Sequence, residues 1–293
     1  MDPTRRLPAH MVGQVREFAG GARTPAEPRD ASTIVLMRTG VSAGPGALEV
    51  YLLRRHVDMA FAAGMAVFPG GGVDPRDFDQ EVAWVGPTPS EWAALLDTDE
   101  SLARALVCAA VRETFEESGV LFAGTTDDSV VADTTGADWE ADRRRLEARE
   151  LSFTDFLRQR KLRLRTDLLR VWGCWQTPVF EPRRYRTRFF VAELPAGQHT
   201  RDVSTESEDV VWLSVRDAIN AVDAEQMLML PPQYCTCLEL FEVSTPGDAL
   251  ASAEGRDCAT VEPSAEIDGQ GAYLTIPDRL VALSARVQDR IRR

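Results

Sequence analysis

Apolar and polar positions along this 293-residue chain change period in blocks that predict interleaved strands and helices. Ser32 to Met37 and Leu48 to Leu53 are β-branched or apolar runs parted by Gly40, Gly44, Pro45 and Gly46, the pattern of two strands and a long turn. Ala66 to Phe68 forms a short third run, closed by Pro69-Gly70-Gly71-Gly72. A polar stretch with Asp74, Asp77 and Asp79 follows. Helical spacing then runs from near Ser101 to Glu117, where Gly119 suits a left-handed C-terminal cap. Val120 to Phe122 reads as a strand, 124–137 as a loop and 138–160 as charged helix. Val171–Gln176, Arg186–Glu193 and Val210–Leu213 are further strand candidates. Ser214 caps a helix over Val215–Val222, and Pro231-Pro232 open another to about Val243. Residues 244–272 read as a weakly ordered linker before a terminal helix that stripes Leu280, Leu283, Val287 and Ile291 on one side. Strands and helices interleave, so the class is α/β or α+β with a mixed sheet.

These blocks give an N-terminal arm over 1–30, a main domain over 31–245, and a linker with C-terminal helix over 246–293. The formal charge of −13 disfavours nucleic acid, and it requires that any phosphorylated ligand meet a locally supplied cation. No window approaches the roughly 18 apolar residues of a membrane span, and the first 21 residues lack the apolar centre of a secretory signal. Five scattered cysteines and three histidines (His10, His56, His199) show no zinc spacing, which fits a reduced, cytoplasmic protein.

The segment Arg112-Glu113-Thr114-Phe115-Glu116-Glu117-Ser118-Gly119-Val120 concentrates the chemistry. On a helix, residues i, i+3 and i+4 share a face, so Glu113, Glu116 and Glu117 crowd together. They also occupy the last turn, where the helix dipole disfavours negative charge. A hard divalent cation with oxygen ligands would relieve both penalties. A solvated acidic face is the alternative reading of three glutamates taken alone.

With its arginine and glycine included, the segment resembles half of the Nudix hydrolase signature, G-x5-E-x7-R-E-U-x-E-E-x-G-U, where U is bulky and apolar. The resemblance implies an α/β/α sandwich around a mixed sheet, and a Mg²⁺ or Mn²⁺ cofactor held by Glu113, Glu116, Glu117 and the Gly71 carbonyl. It also implies Glu113 as general base, with Glu206 or Glu208 from a later loop as alternatives, and Arg112 as the partner that orients a glutamate. The glycine half is displaced: 41 positions separate Gly71 from Arg112, against fourteen in the signature. The excess is an insertion over about 74–100, and a second insertion spans about 124–165. The signature's first glutamate falls on Arg104, so its outer-ligand role is either unfilled or taken by Asp74, Asp77 or Glu100, and Thr114 stands where a bulky aliphatic is usual.

An inserted box is a feature of the branch that includes peroxisomal coenzyme A diphosphatases. Arg55, Gly64 and Phe68-Pro69-Gly70-Gly71 resemble part of that branch's coenzyme A signature, whose second arginine falls on Ala60. Stretches at Trp175–Pro178, Arg183–Tyr185, Arg188–Phe190 and Glu206–Trp212 extend the resemblance over about 32–245. The implied activity is hydrolysis of a small-molecule diphosphate: coenzyme A or acyl-coenzyme A first, nucleoside or sugar diphosphates second. Arg55, Arg183 and Arg184 are the substrate-binding candidates, and a homodimer is compatible with the pattern. The run Arg158, Arg160, Lys161, Arg163 and Arg165 reads as a solvated helix end, and Trp172 and Trp175 as core. Competing readings are a Nudix-fold ligand-binding module, motivated by the missing glutamate and the long insertion, and an acidic interaction protein.

Overall fold

The computed structural model describes residues 6–293 apart from 22, 41–43, 45 and 59–61, and not the side chain of His10. Pro45 of the expected turn and Ala60 therefore lie outside the described residues. The segment read as an arm carries α1 (Ala9–Ala19) and runs into β1 (Arg29–Arg38). β2 (Glu49–Arg55), β3 (Ala66–Val67) and β4 (Gly70–Gly72) follow the glycine punctuation. The first insertion is ordered: a 3-10 turn over Pro75–Phe78, then β5 (Trp84–Val85) and α2 (Pro89–Leu96). α3 (Glu100–Ser118) carries the glutamates.

The expected strand at Val120–Phe122 is buried but irregular, and pairing begins only at β6 (Ala123–Gly124). The charged segment 138–160 is two helices, α4 (Ala137–Glu147) and α5 (Phe153–Gln159). Arg149 breaks them apart with φ +59°, and the Ser152 hydroxyl accepts from the Asp155 amide at 3.1 Å to start the second. β7 (Arg163–Arg165), β8 (Arg170–Gln176), β9 (Tyr185–Glu193), β10 (Ser207–Ser214), α6 (Val215–Asp223) and α7 (Pro231–Leu240) come next.

Beyond α7 the expected linker gives way to α8 (Pro246–Ala253), β11 (Thr260–Val261), β12 (Ser264–Asp268) and β13 (Gly271–Thr275), before α9 (Asp278–Arg292). Small alanines in α8 and the largely exposed residues of β12 give weak periodicity, which is why the apolar pattern missed them.

The main sheet runs β10-β2-β1-β9-β8-β11, with β1–β9 and β8–β11 parallel and the other pairs antiparallel. Alternation along β1 sends Ile34 and Leu36 toward the layer holding α3, and Val35 and Met37 toward that of α6, α7 and α9. Both layers bury an extensive core, so the fold is the expected α/β/α sandwich on a mixed sheet. One edge of β1 is shared: Ala31–Thr33 pair with β4, and Met37–Arg38 pair with β2. The glycine bend is thereby pinned beside α3.

α3 starts where the Asp99 carboxylate accepts the Leu102 amide at 3.0 Å. It ends at Gly119, which has φ +76° and donates its amide to the Phe115 carbonyl at 2.9 Å. Leu106, Val107, Val111 and Phe115 are fully buried, worth about 1.5–3 kcal/mol each. A Ser32 hydroxyl bond to the Leu106 carbonyl at 2.7 Å fixes the helix to β1.

Candidate active site

The glycine bend and the last turns of α3 meet edge to edge. The Pro69 carbonyl accepts from the Ile34 amide at 3.0 Å and the Thr33 hydroxyl at 2.6 Å, which locks the entrance to the bend. The Gly70 amide donates to Glu117 Oε2 at 2.8 Å. A Cβ on Gly71 would lie 2.5 Å from the carboxyl carbon of Glu113, so any larger residue there must displace that carboxylate.

Arg112 is a buried cation, not a surface partner. Its Nε and Nη2 donate to the two oxygens of Asp77 at 3.0 and 2.9 Å, and Nη2 also reaches the Gly72 carbonyl at 3.1 Å. Nη1 donates to Glu113 at 2.7 Å and approaches Glu116 at 3.3 Å. Burial alone would weaken this charge; the fields of Glu113 and Glu116 and the Asp77 bond together raise its pKa. Asp77, buried in the first insertion, thus supplies Arg112 with a carboxylate where the signature glutamate is absent. Asp74 is instead tied to Arg76, whose bonds hold it down to about 2. Glu100 sits exposed thirteen residues back along α3, roughly 20 Å from Glu113.

The three glutamates hold more negative charge than Arg112 can balance. Burial first, then repulsion from Glu113, pushes Glu116 up to about 8. The same two causes raise Glu117 well above the usual range, against the Gly70 amide and Arg55. Burial raises Glu113 despite Arg112, and Asp77 and Glu206 add to the effect. Among the described residues no three His, Cys, Asp or Glu side chains are already gathered in metal-ligand geometry. Arg112 and the Gly70 amide hold carboxylate oxygens apart, yet such a desolvated set of hard oxygen donors suits a divalent cation.

The cluster opens into a cavity of about 130 Å³ that Glu206 and Arg149 also line. Arg55 pairs with Glu206 at 3.1 Å, and its Nε is buried without a hydrogen-bond partner. Glu208 does not line the cavity: it lies by Arg54 and His56 at 3.7 and 3.6 Å, beyond a register shift in β10. Arg183 is exposed and also absent from the lining. Arg184 is buried and committed elsewhere, donating to the carbonyls of Thr177 and Ala26 and to Glu262 at 2.7 Å. It fastens β9 to flanking segments. The basic run borders a separate cavity, where Arg158 pairs with Glu81 and Arg163 with Asp127. Trp172 and Trp175 are core residues, as expected.

Two further arginines escaped the sequence reading. Arg143, 2% exposed, donates to the Glu116 carbonyl at 2.6 Å and pairs with Glu140 and Glu147. Arg201 lies against Gly119 and donates its amide to the Ser118 carbonyl at 2.9 Å. Both place positive charge where the helix dipole is negative. The i, i+3 and i, i+4 spacing of Glu140, Arg143 and Glu147 was a usable signal for the first; Arg201 had none.

A sequence model of the NUDT19 Nudix domain matches residues 28–240. Acyl-coenzyme A diphosphatase NUDT19 of Xenopus laevis is 25% identical over 221 residues, 64% of this chain and 58% of that protein. Its Gallus gallus counterpart is 28% identical over 269 residues, 75% of this chain and 70% of that protein. The chain thus spans between about half and three quarters of these relatives. A Nudix hydrolase structure from Alicyclobacillus acidocaldarius superposes with a TM-score of 0.65 at 24% identity, covering 77% of this chain and 96% of that one. That likeness concerns the fold. With the family's domain matched across most of its length, this chain belongs to the NUDT19 Nudix domain family.

Proposed function

We propose that this chain hydrolyses a diphosphate linkage in a small molecule, with coenzyme A or acyl-coenzyme A as the favoured substrate and Mg²⁺ or Mn²⁺ as cofactor. The observation that carries this reading is the buried Glu116 and Glu117, with the partly buried Glu113, against the glycine bend. The names of the frog and chicken relatives support the substrate class. The working domain is taken as 31–245, with insertions at about 74–100 and 124–165.

Glu113, Glu116, Glu117 and the Gly71 carbonyl would hold the cation, which when bound neutralises diphosphate oxygens and acidifies water. Glu113 is the proposed proton acceptor, since burial keeps its basicity above that of an ordinary carboxylate. Glu206 is the second choice because it lines the same cavity. Arg112 fixes Glu113 and Glu116 through contacts that Asp77 anchors. The non-catalytic reading rests on the missing signature glutamate and the long insertion; against it, Asp77 gives Arg112 a buried carboxylate partner.

No helix among the described residues is long and apolar enough to cross a membrane. All five cysteines are free thiols, which supports the cytoplasmic setting included in the proposal. Size-exclusion chromatography decides whether the working unit is a homodimer. The test of function is a panel of coenzyme A, NADH and ADP-ribose with Mg²⁺ or Mn²⁺. Splitting of coenzyme A at its diphosphate into phosphopantetheine and adenosine 3′,5′-bisphosphate is expected; inertness toward all three with either metal contradicts the reading.

A further inference from the structure

Positive charge in the carboxylate cavity is unevenly committed. Arg112 is bound to Asp77, Glu113, Glu116 and a carbonyl; Arg55, outside the lining, pairs with the lining residue Glu206. Arg76, from the first insertion, donates to both oxygens of Asp74 at 2.9 and 3.1 Å, and to the Arg149 carbonyl at 2.9 Å. Arg149, from the second insertion, differs. Its guanidinium comes only within 4.0 Å of Asp74 and is 80% exposed, yet it lines the cavity.

Its root is fixed all the same. The Arg149 amide donates to the Leu146 carbonyl at 2.8 Å, its carbonyl is held by Arg76, and φ of +59° makes the turn between α4 and α5. A cavity floored with glutamates repels an anionic ligand unless a cation meets it at the rim. Guanidinium offers paired donors that match phosphate oxygens. Resting on the diphosphate reading above, we infer that Arg149, rooted by Arg76, binds a non-bridging phosphate oxygen of the substrate's diphosphate. The two insertions thus converge to supply a cation at the cavity rim of a chain of net charge −13.

The test uses the full chain carrying Arg149→Ala or Arg149→Lys, with Arg286→Ala, exposed on α9, as a surface control, on coenzyme A and 3′-dephospho-coenzyme A at fixed Mn²⁺. Loss of a charge-assisted bond should raise KM on the order of 10- to 100-fold for both substrates, with kcat within about threefold. Lysine should recover part of the loss, the control none of it incur, and Tm should stay unchanged, since alanine and arginine tolerate the positive φ alike. A penalty confined to coenzyme A overturns the inference, because the arginine would then read the ribose 3′-phosphate. An unchanged KM overturns it as well. Calorimetry with α,β-methylene-ADP separates this inference from the hydrolase reading. Equal affinity of wild type and Arg149→Ala sinks the inference; weaker binding by the variant, in a chain that cleaves nothing, sinks only the hydrolase reading.

Discussion

At residue 71 a single methyl group is enough to disturb the site. β4 is held in the ladder with β1, so the Gly71 backbone has little room to retreat, and a Cβ placed 2.5 Å from Glu113 must push that carboxylate aside. Gly71→Ala should therefore lower kcat on the order of 100-fold while the melting temperature moves little. Turnover close to wild type would show that the Glu113 position is not critical. Asp77 has the opposite profile, because it anchors a buried cation. Asp77→Asn should cost about 3 kcal/mol of stability, measured by denaturant titration, and lower turnover through the loosened Arg112. A fully stable variant would contradict the anchoring role.

At the scale of elements, the site depends on how the C-terminal end of α3 is clamped. Arg143 holds the Glu116 carbonyl, and Glu140 holds Arg143, Arg144 and Arg201. Those bonds, the one to Arg143 foremost, hold the Glu140 carboxyl down to about 2. A depressed carboxylate stabilises the fold above its unfolded pKa near 4.5, and the benefit disappears as pH falls toward about 2. The melting-temperature gap between wild type and Glu140→Gln should be full at pH 7 and shrink steadily below pH 4.5. A gap unchanged down to pH 3 would mean that the ion pairs contribute little.

The helix itself was legible in the sequence, since cap, stripe and glutamates are all local signals. The partners across it were reached only through the resemblance, which named Gly71 and left Asp77 as one of three candidates. Gly71 lies 41 positions from Arg112, and only the fold of the first insertion distinguishes Asp77 from Asp74 and Glu100. For a related reason the sequence shows the charge of Arg184 but not its burial against Ala26 and Glu262.

For the molecule as a whole, the segment after α7 completes the layer opposite the site. Ala249, Val261, Leu280 and Val287 are buried there with Tyr234 and Leu238 of α7. Leu280→Ala should cost about 2–5 kcal/mol in denaturant titration and leave KM unchanged. A shifted KM would show that this layer reaches the substrate. The sandwich around α3 exists to keep acidic groups dry and close together, and the central claim is that they serve a cation.

The most direct measurement is the kcat for coenzyme A of Glu117→Gln beside wild type at saturating Mn²⁺. The variant loses a carboxylate that burial already disfavours, so metal-free stability should hold or rise. Turnover, by contrast, should fall at least on the order of 100-fold. Undiminished turnover by a folded Glu117→Gln protein would contradict the account.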